Sequence, residues 1–150
     1  MNKLRIHHFF DILRDYGAGK ELQPHPYGHS YHLIGKKVYE NTLNEFEIVV
    51  ACDDICLNCS KIENGLCIDE IDHRNDFIMK KKFNDFIDNR IMNTMNLEKG
   101  QIVTVSEIIE KADLYLNNIF EIYSGNSIEH TEQRRLNVEL GVKKKKSGLL

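Results

Sequence analysis

All four cysteines of the chain lie in one short stretch, and they are its clearest chemical feature. They follow the spacing C-x3-C-x2-C-x7-C, as Cys52, Cys56, Cys59 and Cys67, with Gly65 near the end. A C-x2-C pair lets two thiolates bind one ion without strain, and the glycine helps the chain turn back. Four thiolates are enough for tetrahedral zinc or for an iron–sulfur cluster. The stretch therefore predicts a metal or cluster site that has all four cysteines as ligands.

The spacing favours an iron–sulfur cluster over zinc, without naming the cluster type. Three of the cysteines fall within the eight residues 52–59, whereas structural zinc usually takes two C-x2-C pairs separated by a longer spacer. Zinc is the alternative cofactor. Thiol redox chemistry and four inert buried thiols are the alternatives to any bound metal.

Histidines form a second concentration, because five of the seven lie among the first 32 residues: His7, His8, His25, His29 and His32. The last three could bind a divalent metal or supply a general acid or base, and ordinary polar packing of a loop is the alternative. The adjacent pair ends a predicted strand and opens a predicted helix. A buried imidazole there needs a hydrogen-bond partner.

Carboxylates next to the cysteines have two possible roles. Asp53 and Asp54 could tune the charge of a cluster, but we expect them to cap backbone N–H groups of the cysteine loop. Further along, we expect Asp72, His73 and Asp76 to form a solvated helix start.

These residues must be positioned by helices and strands. The pattern of apolar residues along the chain predicts a helix-rich α+β fold, a single domain with about five helices and a small sheet of two or three short strands. The clearest strand, residues 46–51, leads directly into the cysteine loop. Apolar spacing predicts helices within residues 3–16, at about 29–41, at 77–96, after a capping box formed by Thr104 and Glu107, and at 128–140. We expect one metal- or cluster-binding domain over residues 1–142. Residues 143–150 are predicted to be a basic, disordered tail.

Composition limits the partners that we expect. A net charge of −3 supplies no general attraction to nucleic acid, and the two lysine runs lack interleaved aromatic residues. The chain has no apolar run of the ~20 residues that span a bilayer, and no secretory signal. We therefore expect a cytoplasmic protein that binds neither nucleic acid nor membrane.

Three sequence elements resemble the domain-of-unknown-function 1284 family, whose members are small uncharacterised prokaryotic proteins, some labelled as iron–sulfur binding. These elements are Arg5-Ile-His-His-Phe-Phe, the run Asp53-Asp-Ile-Cys-x-x-Cys59, and Gly65-x-Cys67. The resemblance covers about residues 4–120. It supports an iron–sulfur cofactor but implies no reaction.

The chain departs from the family pattern at one candidate ligand. Family members often read His-His-Leu-Leu-Cys near the start, where this chain has Asp11 in place of the cysteine. Cys52 is additional here and could supply the missing thiolate. Asp11 itself, or His8 one turn before it, is the alternative fourth ligand.

The sequence thus yields three hypotheses. The first is a small iron–sulfur or other metal-binding protein with a redox or accessory role, working with a protein redox partner. The second is a structural zinc-binding interaction module. The third is a metal-dependent enzyme that uses the N-terminal histidines. No catalytic residue or reaction is assigned, and we favour a protein that is not an enzyme by itself.

Overall fold

Six helices and five short strands build the part of the chain that the structure, a computed structural model, describes, which is residues 1–148. The helices are Ile6–Gly17 (α1), Tyr31–Tyr39 (α2), Lys80–Met95 (α3), Val105–Asn117 (α4), Ile119–Ile122 (α5) and Ile128–Gly148 (α6). This confirms the predicted helix-rich α+β fold. None of the helices within residues 1–148 is long and apolar enough to cross a membrane.

The strands form two small sheets. In the first, β2 (Glu45–Ile48) is central, parallel to β1 (Lys3–Leu4) and antiparallel to β5 (Ile102–Thr104). The second is a hairpin of β3 (Ile62–Glu63) and β4 (Leu66–Cys67). The strand predicted at residues 46–51 is found at Glu45–Ile48, so it precedes the cysteine loop as expected but ends four residues before Cys52.

Helix α1 lies at the centre of the core. Its residues Phe9, Phe10 and Leu13 are fully buried, and the ring of Phe10 stacks on Tyr115 of α4 with 3.8 Å between centroids. Burying side chains of this size contributes roughly 1.5–3 kcal/mol each. On one side α1 packs closely against α6. This packing fixes the position of α1 and therefore of its first turn, which carries His7 and His8.

Helix α4 begins where the sequence predicted a capping box. The Thr104 hydroxyl accepts from the Glu107 N–H at 3.1 Å, and the Glu107 carboxylate accepts from the Thr104 N–H at 3.1 Å. Two N–H groups that lack partners inside the helix are thereby satisfied.

The structure differs from the tail predicted for residues 143–150. Helix α6 does not end near residue 140 but continues to Gly148, and residues 149 and 150 lie outside the described residues. Val138, Val142 and Lys145 are buried on one face of this helix, at helical spacing. The Lys145 ammonium donates to the carbonyl of Val38 and, at 2.8 Å, to the side chain of Asn41. The run of four lysines hid this face, because one of them is a core residue whose charge is satisfied by hydrogen bonds.

Candidate functional site

The four cysteines converge on a single cavity of about 290 Å³. Cys52, Cys56, Cys59 and Cys67 all line it as half-buried free thiols. The structure therefore brings together the four residues that the sequence selected.

Two local turns bring the cysteines to this cavity. A single 3₁₀ turn, Asp54–Cys56, follows β2 and carries the second cysteine. The β3–β4 hairpin then reverses the chain at Asn64 and Gly65, both of which have positive φ (53° and 76°). Asn-Gly is the sequence that favours this tight hairpin turn, so Cys67 returns opposite Ile62.

A histidine-bearing loop packs against the cysteine loop. The Ser60 N–H donates to the carbonyl of Tyr27 at 2.7 Å, and the Ser30 N–H donates to the carbonyl of Ile55 at 2.8 Å. Gly28 lies between these contacts with φ of 78°, and a Cβ there would stand 2.8 Å from the Asn58 carbonyl oxygen. The two loops are therefore close enough that only glycine fits.

Two of the three loop histidines reach the cysteine cavity. His25 and His29 line it, and their rings stack with 4.4 Å between centroids. Burial and the neighbouring His25 ring lower the pKa of His29 below its ordinary value. His32 is not among the lining residues, and its buried Nδ1 has no hydrogen-bond partner within residues 1–148.

Asp53 connects the cysteine loop to the start of α1. Its buried carboxylate accepts from the Arg5 N–H at 2.7 Å, from His8 Nδ1 at 2.7 Å and from the Ile55 N–H at 3.1 Å. The Cys56 thiol lies 3.6 Å from the same carboxylate. The expected capping role of Asp53 is confirmed, and the carboxylate also orients a histidine.

His7 and His8 are each held by a buried carboxylate through Nδ1. The His7 Nδ1 lies 2.7 Å from Asp88, and the His8 Nδ1 lies 2.7 Å from Asp53. An ionised carboxylate accepts, so each Nδ1 carries the proton and Nε2 remains available for a metal, a proton or a ligand. Burial alone would lower the pKa of His8, but the Asp53 carboxylate raises it above the ordinary value.

The two alternative fourth ligands both line the cysteine cavity, yet their partners differ. The Asp11 carboxylate forms an ion pair with Arg134 at 2.7 Å and lies 3.5 Å from Arg14. Burial opposes its ionisation, but the two guanidinium groups hold its pKa well below the ordinary range. His8 keeps a free Nε2, so of these two it is the better placed ligand.

The possible ligand side chains of the described residues lie around the wall of the cysteine cavity and do not converge on one point. Within residues 1–148, no group of three or more His, Cys, Asp or Glu side chains is arranged so that it could hold a metal ion. Burial and the nearby Asp53 carboxylate raise the pKa of the Cys56 thiol. Binding a metal at this thiol would therefore require displacing its proton.

A second and larger cavity, of about 530 Å³, adjoins the first. The two share four lining residues, His8, Asp11, Lys80 and Asn84. The larger cavity is also lined by His73, His130 and Arg134, which do not line the cysteine cavity. The sequence did not single out the last two as site residues. They lie far from the cysteines in the chain, and α6 brings them near only because it packs along α1.

Comparison with known proteins places the chain in a family without assigning an activity. No curated protein and no solved structure matches it. The matching family model, described as a protein of unknown function (DUF1284), covers residues 26–126. These residues include all four cysteines but not His7, His8 or Asp11, so the predicted resemblance at the N-terminal histidines stays a prediction. Because the match spans more than half of the chain, the protein belongs to the DUF1284 family.

Proposed function

We propose that the protein binds an iron–sulfur cluster through Cys52, Cys56, Cys59 and Cys67, and that it has a redox or accessory role. One observation carries this proposal: every cysteine of the chain lines the same cavity as a free thiol. Clustered free thiols with this spacing are typical of metal and cluster ligands.

The donor set and the size of the cavity both suit a cluster. Four soft thiols are the usual ligands of iron–sulfur clusters, and imidazoles are the usual replacement for a thiolate. A volume of about 290 Å³ is several times the ~30 Å³ share of one water molecule, so it can hold a group of several atoms. Donors spread around such a space fit a group with several metal atoms better than a single ion.

The surroundings of the cysteines support a fixed site near the surface. Asp53 connects the loop to α1, and the close contact at Gly28 anchors the histidine loop against it. The thiols are only half-buried, which leaves a short path to a protein redox partner. A bound cluster would supply one-electron transfer, and the residues of this chain would orient it and limit its contact with water.

The test is to purify the protein without oxygen and to measure iron, acid-labile sulfide and zinc per chain. We expect iron and sulfide in similar amounts, with a visible absorbance that dithionite bleaches. Cys56→Ser and Cys59→Ser should each lose most of the iron, because each removes a ligand. Ser60→Ala is the matched control, since this exposed side chain belongs to the same loop but is not among the cavity residues.

Two outcomes contradict the proposal. One zinc per colourless chain would favour the zinc-binding module instead. If the protein takes up no metal, either as purified or after anaerobic reconstitution with iron and sulfide, both the iron–sulfur site and the zinc site are excluded.

A separate set of variants tests whether Cys52 is the fourth ligand. Cys52→Ser should lose iron as strongly as the other cysteine variants. If that variant keeps its iron, His8→Asn and Asp11→Asn identify the replacement ligand. We expect the histidine variant to have the larger effect in that case, because the Asp11 carboxylate is already bound by Arg134.

A second candidate function, a metal-dependent enzyme, is favoured by the histidines around the same cavity. His8, His25 and His29 line it together with the cysteines. Imidazoles next to a metal can move protons to and from a bound substrate. Under this alternative, His25→Gln and His29→Gln would abolish turnover while the metal content stays unchanged.

A further inference from the structure

The larger cavity lies between the beginnings of three helices. Residues from the first two turns of α1, α3 and α6 form most of its wall, and its volume is about 530 Å³. The beginning of a helix carries partial positive charge from its unpaired N–H groups. The His7 N–H of α1 already donates to the Asp88 carboxylate at 2.9 Å and the His130 N–H of α6 to the Ser127 hydroxyl at 3.0 Å, so it is the partial charge remaining at these ends that favours a negatively charged occupant.

The side chains in this wall include two cations, Arg134 and Lys80, and each has a carboxylate partner. Asp11 supplies the one carboxylate among the lining residues within residues 1–148, and it is neutralised by Arg134 at 2.7 Å. Lys80 also lines the cavity, and its nearest carboxylate, that of Asp69, is 3.6 Å away. His7, His8, His73 and His130 add four imidazoles to the wall.

Two polar side chains of largely buried residues at this wall face the open cavity and, among the described residues, make no hydrogen bond through the atoms that face it. Asn84 is 9% exposed, and its side-chain amide makes no hydrogen bond within residues 1–148. His7 is also 9% exposed, and its Nε2 has no partner there either, while Nδ1 is held by Asp88. A polar ligand in the cavity would satisfy both groups.

The remaining wall is apolar. Ile71, Phe83 and Ile87 line the same space, and the rings of His73 and Phe83 pack nearly perpendicular to each other, with 5.0 Å between centroids. A cavity that combines an apolar surface with a few converging polar groups is the usual form of a small-molecule site.

From this wall we propose that the larger cavity binds a small organic anion. A carboxylate or phosphate group would lie near Lys80, Asn84 and the beginnings of the three helices. A compact apolar portion of the ligand would pack on Phe83 and Ile87. The site lies beside the cysteine cavity and shares His8, Asp11, Lys80 and Asn84 with it, so a bound anion would lie next to a bound cluster. This proposal goes beyond the cluster and does not require it.

The test is a binding measurement by isothermal calorimetry and amide NMR, with probes that share a phenyl ring. Benzoate and phenyl phosphate carry the anion, benzyl alcohol is neutral, and benzylamine is a cation. We expect at least one anion to bind about tenfold more tightly than the neutral probe, because it gains a charge-assisted hydrogen bond. Tighter binding of benzoate identifies a carboxylate ligand, and tighter binding of phenyl phosphate identifies a phosphate ligand.

Variants then locate the binding. Lys80→Gln should weaken the anion about tenfold, and the nearly isosteric Asn84→Asp should weaken it more, because it places negative charge in the cavity. Lys82→Gln is the matched control, since Lys82 is exposed on the same helix and does not line the cavity. Amide shifts should map to the beginnings of α3 and α6.

Several results would overturn the inference: no anion binding at millimolar concentration, benzylamine binding as tightly as the anions, or equal losses in the Lys80 and Lys82 variants. Iron and zinc measured on the same samples keep this test separate from the cluster. Lys80→Gln should retain its metal, and Cys56→Ser should retain the anion.

Discussion

Asp88 holds the beginning of α1 against α3, and its removal should destabilise the whole fold. Its fully buried carboxylate accepts from the Arg5 guanidinium at 2.8 Å, from the His7 N–H at 2.9 Å and from the His7 ring at 2.7 Å. Three hydrogen bonds from two neighbouring residues therefore depend on one side chain of α3.

The expected loss follows from these partners. Arg5 is 2% exposed, so without Asp88 a buried charge keeps only Asp85, which lies 2.9 Å away and makes no hydrogen bond through that oxygen. Breaking a buried ion pair by removing one partner costs about 3–5 kcal/mol. We expect that loss for Asp88→Ala. For Asp88→Asn we expect about 1.5–3 kcal/mol, since its amide oxygen still accepts one bond.

Equilibrium unfolding in urea, followed by circular dichroism at neutral pH, measures these differences. Asn89→Ala is the matched control, because Asn89 is the exposed neighbour on the same helix, and we expect its free energy of unfolding to stay within about 0.5 kcal/mol of the parent protein. The reasoning fails if Asp88→Ala also stays within about 1 kcal/mol, because the carboxylate would then not be a principal link between the two helices.

Three further predictions concern the same framework. Burial opposes ionisation of Asp88, but its cationic neighbours lower the pKa of this carboxyl below its ordinary value. The ionised carboxylate therefore stabilises the fold fully above the ordinary carboxyl range, and this stabilisation is lost as pH falls through the lowered pKa. In urea titrations, the difference in unfolding free energy between the parent protein and Asp88→Asn should narrow below about pH 4. Asp53→Ala should cost about 3–5 kcal/mol, while Asp54→Ala, which loses one exposed bond, should cost less than about 1 kcal/mol in the same assay. Gly141→Ala should lower the melting temperature sharply, because its Cβ would collide with a backbone carbonyl of α1, whereas the uncrowded Gly148→Ala should leave it unchanged; equal melting temperatures would contradict the close packing.

Much of the local structure follows from short-range patterns. The capping box at Thr104 and the apolar spacing of α1 depend on neighbouring residues, and both were predicted correctly. The strand before the cysteines was predicted too far along the chain, at residues 46–51, because Val49 and Val50 lie outside the observed strand Glu45–Ile48. The β3–β4 hairpin was missed, although Asn64-Gly65 is a strong signal for it. The course of α6 was missed because its lysine run conceals a buried face.

For the candidate site, too, some features follow from the sequence alone and others only from the tertiary structure. The sequence alone determined that four cysteines cluster and that His7 and His8 need partners, because these statements depend on residue type and spacing. Only the tertiary structure decided that Asp88 and Asp53 are those partners, that His25 and His29 reach the cysteine cavity and His32 does not, and that α6 closes a second cavity with His130 and Arg134. These contacts join residues 45 to 123 positions apart, or depend on how two loops pack, and no local pattern specifies which distant side chain will fill a given space.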